Sequence, residues 1–260
     1  MSMSKIYYLL VSVLAFVSCT RSYNVEGSSS IAALDGSQLY LKAIKGGEMK
    51  NVDSCDVVHG EFHFTGLLDT VRMANLFMGD ESIMPVVLEE GDIRIKIDNA
   101  TQIVSGTPMN DSLYVFIDKH SQISNRMTEL SHRQSQMLLD GVDEDEIDRQ
   151  LNKEAALIAA EEDQLVTSFI VNNFDNVLGP GVFMMVTSQY RYPILTPQIE
   201  DIMSKATDKF KSDPYVREYY QTAQENEARM NGMDDVPTPQ PDSLMAPPAP
   251  AAPLTNVPLP

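Results

Sequence analysis

The spacing of apolar residues changes once along this chain, near residue 107, and that change bounds the fold more tightly than any other feature. Before it, Leu39-Tyr40-Leu41-Lys42, Glu61-Phe62-His63-Phe64 and Ile93-Arg94-Ile95-Lys96-Ile97 alternate apolar with polar. A period of two is that of strands with one buried face. Turn-forming residues separate the runs: Asp35-Gly36, Lys45-Gly46-Gly47, His59-Gly60, Gly79-Asp80 and Glu90-Gly91-Asp92. About eight short strands at that spacing predict an antiparallel β-sandwich or barrel over residues 23–107. Leu39, Leu41, Phe62, Phe64, Ile93, Ile95 and Ile97 are its expected core.

Beyond the change, Leu113, Phe116, Ile117, His120, Ile123, Met127, Leu130 and Met137 recur three and four residues apart. That stripe predicts a helix over about 110–139. After Asp140-Gly141 a second stripe runs through Ile147, Leu151, Ile158, Leu165, Phe169 and Ile170. The short connection pairs the two helices as an antiparallel hairpin. Asp143 and Glu146 have the spacing of a capping box, with Asp in place of Ser or Thr. Shorter helices are expected around residues 181–190, 197–210 and 213–230, with Pro180, Pro197 and Pro214 in their first turns. The class is α+β: a β domain over 23–107, then a helical region over 108–232.

Both termini differ in composition from the body. Residues 236–260 hold nine of the fifteen prolines, with Asp242 as their only charge. Such a segment buries too little surface to fold, so 233–260 is expected to be a disordered, Pro-rich tail. At the other end Lys5 precedes an apolar run from Ile6 to Val17. That run has the length of a signal-peptide core and is short of the roughly 20 residues a spanning helix needs. The sequence Leu14-Ala15-Phe16-Val17-Ser18-Cys19 resembles a bacterial lipobox, with Phe16 departing from the usual Leu. The resemblance implies a signal peptide over 1–18, lipidation of Cys19, and an anchored N-terminus over 19–22. The membrane partner would then be reached through lipid. Thr20-Arg21-Ser22 lacks the acidic run that resembles the surface-export signal of Bacteroidetes lipoproteins, so the periplasmic face of the outer membrane is the expected location.

After such cleavage the formal charge is −19. That balance argues against nucleic acid as a partner and against electrostatic attraction to anionic surfaces. With Cys19 acylated, Cys55 has no intramolecular partner and becomes a free thiol, either buried or reactive. Val52-Asp53-Ser54-Cys55-Asp56-Val57-Val58 reads as a strand placing Cys55 and Val57 on one face.

The β region resembles the uncharacterised N-terminal module that precedes thioredoxin-like (AhpC/TSA-type) domains in Bacteroidetes lipoproteins. The resemblance is carried by Tyr23-Asn24-Val25-Glu26-Gly27, Asp35-Gly36 with Leu39-Tyr40-Leu41, and Val52-Asp53-Ser54. It continues through Gly60-Glu61-Phe62-His63-Phe64-Thr65-Gly66, Val87-Leu88-Glu89-Glu90-Gly91-Asp92-Ile93 and Gly106-Thr107-Pro108-Met109-Asn110-Asp111. Redox members of that type continue into a domain with Cys-x-x-Cys, a motif this sequence lacks. Thiol–disulfide exchange needs an attacking thiolate and a resolving thiol, so redox activity does not carry over.

His59, Glu61 and His63 suggest a metal triad only if one strand runs through them, and Gly60 favours a turn instead. His120, on an apolar stripe, is expected to be a hydrogen-bonded core or boundary residue rather than a catalytic one. Asp140, Asp143, Asp145 and Asp148 miss the spacing of a calcium loop. Met184-Met185 read as gap-filling core methionines and the Met230 to Met233 stretch as a loose chain end, rather than as copper ligands. No nucleotide, dinucleotide, metalloprotease or serine-hydrolase motif occurs, and no cofactor, metal or catalytic residue is expected. Asp69-Thr70-Val71, Asp111-Ser112-Leu113 and Asp242-Ser243-Leu244 resemble the O-glycosylation signal of Bacteroidetes envelope proteins, which marks Thr70, Ser112 and Ser243.

The expected role is a non-enzymatic envelope lipoprotein that binds or scaffolds, with the Pro-rich tail as spacer or ligand for another envelope protein. The second reading is an accessory that docks a separate thioredoxin-like enzyme. A third, a hydrolase with dispersed residues, has no motif behind it.

Overall fold

The computed structural model describes residues 21–232. The expected signal peptide over 1–18, the expected lipidation site Cys19, Ser243 and the expected Pro-rich tail from 233 onward lie outside the described residues. The β region forms eight strands: β1 (Ser22–Ser29), β2 (Gln38–Lys45), β3 (Glu48–Asp56), β4 (Glu61–Leu67), β5 (Arg72–Met78), β6 (Glu81–Leu88), β7 (Gly91–Ile97) and β8 (Gln102–Ser105). They make two four-stranded sheets, ordered β4-β1-β7-β8 and β3-β2-β5-β6. Pairing is antiparallel except between β1 and β7, which run parallel with Val25 opposite Ile93. The first sheet is therefore mixed rather than purely antiparallel.

The alternation read from the sequence sets the sandwich core. Leu39, Leu41, Phe62, Phe64, Ile93, Ile95 and Ile97 are all buried, with Val25, Ala74, Leu76, Val86 and Val104 joining them from both sheets. Gly27 is needed opposite Phe62, because a Cβ there would lie 2.0 Å from the phenyl ring. His59 and Gly60 both have positive φ, 53° and 77°, and turn the chain between β3 and β4.

Six helices follow: α1 (Pro108–Leu139), α2 (Glu144–Asn172), α3 (Leu178–Thr187), α4 (Pro197–Lys205), α5 (Asp208–Ser212) and α6 (Pro214–Met230). The helix expected over 197–210 is two helices. Ala206 is extended, at φ −65° and ψ 135°, and the Thr207 side chain caps α5 by accepting from the Phe210 N–H. The capping box expected at α2 is half made. Asp143 caps the Asp145 N–H, but the Glu146 carboxylate is taken by Arg149 and Gln150.

The first turns of α1 seal an open sheet edge. Strand β6 ends its sheet, and an unpaired edge exposes backbone groups that must be satisfied. Asn110, fully buried, answers one of these positions with its side-chain amide. Its Oδ1 accepts from the Val87 N–H at 2.9 Å and its Nδ2 donates to the Val87 carbonyl at 2.8 Å, as a neighbouring strand would. Two residues back, Pro85 has no N–H to satisfy, and its carbonyl accepts from the Tyr114 hydroxyl at 2.9 Å. Two strand residues and four helix residues each advance about 6 Å, which is why the pairs stay in step. Glu89 accepts from the Met109 and Asn110 N–H groups, capping α1 in place of Thr107, whose side chain caps nothing in its own helix.

One core cluster runs from the sandwich into the helices. It includes Leu113 and Phe116 of α1, Val166 and Ile170 of α2, and Phe183, Phe210 and Tyr219 beyond. Gly181 of α3 lets that helix close onto Met73, on the face of β5 that points away from the sandwich core.

Candidate functional site

Two regions could carry function: the side of the sandwich that holds the free thiol, and the outer half of the helical hairpin. At the first, β3 and β4 border each other at the ends of their sheets. Cys55 lies near the end of β3, half-buried and packed against the core, two residues before the buried Val57. Burial pushes its thiol up to about 11, with Asp53 and Asp56 adding to the rise against a partial offset from the His63 backbone. Tyr23 bridges the two sheets nearby, its hydroxyl 3.3 Å from Asp53. Its phenol is pushed up to about 12 by burial and by Asp53. Both groups are neutral at neutral pH, and a neutral thiol is a poor nucleophile.

The turn at His59-Gly60 separates the three residues of the candidate metal triad, leaving Glu61 and His63 on the solvent face of β4. Among the described residues no group of three His, Cys, Asp or Glu side chains could hold a metal ion. His120 stacks on Phe116 at 5.7 Å and places Nε2 3.0 Å from Glu162, a boundary position between α1 and α2. Asp145 and Asp148 border an open concavity of about 520 Å³ with Arg149 and Asn152. All four side chains are exposed, with no apolar wall to exclude water. Met184 is half-buried in α3, while Met185 and Met230 are exposed on different helices.

The outer hairpin is built differently from the body. Ile123 and Leu130 of α1 pack with Ile147, Leu151 and Ile158 of α2 in a small cluster separate from the main core. Phe116, Ile123, Leu130 and Met137 recur every seven residues, the repeat of a coiled-coil seam. Beside that seam run ion pairs between the helices, Arg126 to Glu161 at 2.6 Å and Arg133 to Glu154 at 3.0 Å. Such pairs add little stability in water but penalise a slipped register. At the tip, Leu138 is 47 % exposed and Leu139 87 % exposed.

Of the candidate modification sites, Thr70 lies in the β4–β5 connection with its Oγ1 3.2 Å from Arg72, and Ser112 is exposed in the second turn of α1. The sequence reading missed Glu89, Asn110 and Tyr114. Asn110 did carry a signal, since it lies three residues before Leu113 on the apolar stripe.

Residues 23–113 match a family described as a domain of unknown function (DUF4369). The match reaches into α1 far enough to include Asn110 and Leu113, which belong physically to the sandwich edge. No thioredoxin domain is matched. No curated protein matches the chain.

Proposed function

We infer that this protein is a non-enzymatic lipoprotein of the bacterial envelope that binds or scaffolds another envelope component through its helical hairpin. The observation that carries the reading is the outer hairpin: a narrow two-helix arm with its own thin core and two exposed leucines at its tip. The lipobox-like sequence ending at Cys19 supports the anchored address. Among the described residues no helix is long and apolar enough to cross a membrane, so an acyl anchor suits the described part of the chain.

The second reading, a docking accessory for a separate thioredoxin-like enzyme, draws on the resemblance of the β region to the module that precedes thioredoxin-like domains; the DUF4369 match names no partner. Its thiol-exchange version needs a reactive Cys55, and a half-buried thiol raised to about 11 opposes it. Alkylation of the folded protein at neutral pH should be slow and should speed up on unfolding; rapid labelling of the native protein would restore that version.

Two measurements test the first reading. Intact mass of the envelope-extracted protein should carry acyl chains on Cys19. A photo-crosslinking residue at Leu139 should capture the same envelope protein reproducibly, whereas one at Leu157, exposed on the side of α2, should not. Absence of acyl mass, or equal capture from both positions, contradicts it.

A further inference from the structure

We propose that the end of the sandwich bearing Arg21 and Leu67 is a surface that rests on the lipid bilayer, so that the hairpin tip is the part of the folded body farthest from the membrane. This rests on the lipid-anchored reading above and adds to it which surface faces the lipid. The argument begins with chain length. Only Thr20 separates Cys19 from Arg21, and two residues span at most about 7 Å. Arg21 is already tied into the fold, its carbonyl accepting from the Leu68 N–H at 2.9 Å. An acyl chain on Cys19 therefore holds this end of the sandwich against the headgroups, with no linker long enough for the body to stand away.

The residues at that end suit such a surface. Ser22 pairs with Leu67 and Tyr23 with Gly91, so the start of β1, the end of β4 and the start of β7 lie together. Leu67 is 77 % exposed, with no partner in the fold to account for an apolar side chain at that position. Two of the exposed acids there are paired with bases, Glu90 with Arg21 at 3.7 Å and Asp69 with Arg72. Pairing lowers the repulsion that an acidic protein meets at an anionic bilayer.

The path of α1 then fixes the opposite pole. Strand β6 runs toward the anchored end, since its last residues lead through Glu89-Glu90 into Gly91. Asn110 pairs with Val87 and Tyr114 with Pro85, so α1 runs the other way, away from the anchor. It continues for 32 residues, about 48 Å. Leu138 and Leu139 stand at the far end of that length.

The test uses the acylated full-length protein in vesicles of phosphatidylethanolamine and phosphatidylglycerol containing headgroup-spin-labelled lipid. In a Cys55→Ser background, a fluorophore is placed through Leu67→Cys or Leu139→Cys, both at exposed sites. Quenching at position 67 should exceed that at position 139 several-fold, with position 139 close to its value in unlabelled vesicles. Equal quenching at both positions, or stronger quenching at 139, overturns the proposal while leaving the anchor intact. Intact mass is measured on the same sample. A chain without acyl mass on Cys19 overturns the anchored reading and, with it, this orientation.

Discussion

Replacing Asn110 by alanine is the sharpest test of how the helices are joined to the sandwich. The side chain is fully buried and gives Val87 both of its hydrogen bonds on the free edge of β6, at 2.9 and 2.8 Å, with a third bond to Thr107 at 2.8 Å. Val87 is itself fully buried, so neither of its backbone groups recovers water when the amide is removed. Each stranded group costs about 1–3 kcal/mol, and two place the loss at about 3–4 kcal/mol once partial relaxation is allowed. That is a large fraction of the 5–15 kcal/mol typical of a folded domain. Urea unfolding followed by far-UV circular dichroism should show a lower midpoint with an unchanged slope. Asn110→Asp should cost at least as much. It keeps an acceptor for the Val87 N–H, loses the donor for the Val87 carbonyl, and places a second carboxylate beside Glu89. A loss below about 1 kcal/mol for Asn110→Ala would mean that water reaches β6, and the dry-edge account would be wrong.

Alkaline pH should destabilise the protein. The Cys55 thiol is raised from 9.0 to about 11, and the Tyr23 and Tyr219 phenols from 10.0 to about 12. The unfolded chain therefore loses these protons first, so the stabilisation is complete below pH 9 and falls as pH rises through the folded values. Thermal melts between pH 8 and 11 should show a falling Tm, and a flat profile would contradict the burial of these groups. In the hairpin, Ile158→Ala should cost about 2–4 kcal/mol yet act locally, because Ile158 belongs to the small outer cluster and not to the main core. Hydrogen exchange should quicken over residues 121–160 while the strands keep their protection; global loss of protection would mean the two cores unfold as one. Arg133→Ala removes only a half-exposed ion pair and should cost less than about 1 kcal/mol by the same measurement.

What the sequence disclosed follows from the range of the forces involved. Ile93, Ile95 and Ile97 announce their buried face because strand periodicity is local, and the seven-residue recurrence from Phe116 to Met137 does the same for α1. The parallel pairing of β1 with β7 has no local signature, since nothing in Val25 specifies a partner as distant in sequence as Ile93. The break at Ala206-Thr207 was not read from the sequence, because Thr207 acts through its contact with the Phe210 N–H once the chain has turned. Glu89 was hidden for the same reason, and Asn110 showed only its place three residues before Leu113 on the apolar stripe, not its bonding partner. Their polar groups look like ordinary surface until the helix start and the strand edge are brought together. The candidate site divides likewise. The thiol's burial on a shared face with Val57 could be read from alternation, whereas Leu138 and Leu139 follow the last residue of the apolar stripe and only the end of the hairpin decides that they are exposed.

The continuity of α1 ties these points together. Its first turns close the edge of β6, and its last turns carry Leu138 and Leu139, with no break between Pro108 and Leu139. A helix transmits the direction of its base to its tip, so the aim of the hairpin is set by Asn110, Glu89 and Tyr114 rather than by the short connection at Asp140-Gly141. A flexible attachment would have left the tip free to sample many orientations. The bidentate pairing with Val87 and the hydroxyl contact to Pro85 remove that freedom at two successive turns. A partner that reads the tip would then be sensitive to Asn110 even though Asn110 lies about 43 Å along the helix from Leu139. Crosslinking from position 139 should fall in Asn110→Ala under conditions where circular dichroism shows the protein still folded. Undiminished capture would mean that the partner recognises the tip without regard to its direction, and that the sealed edge serves stability alone.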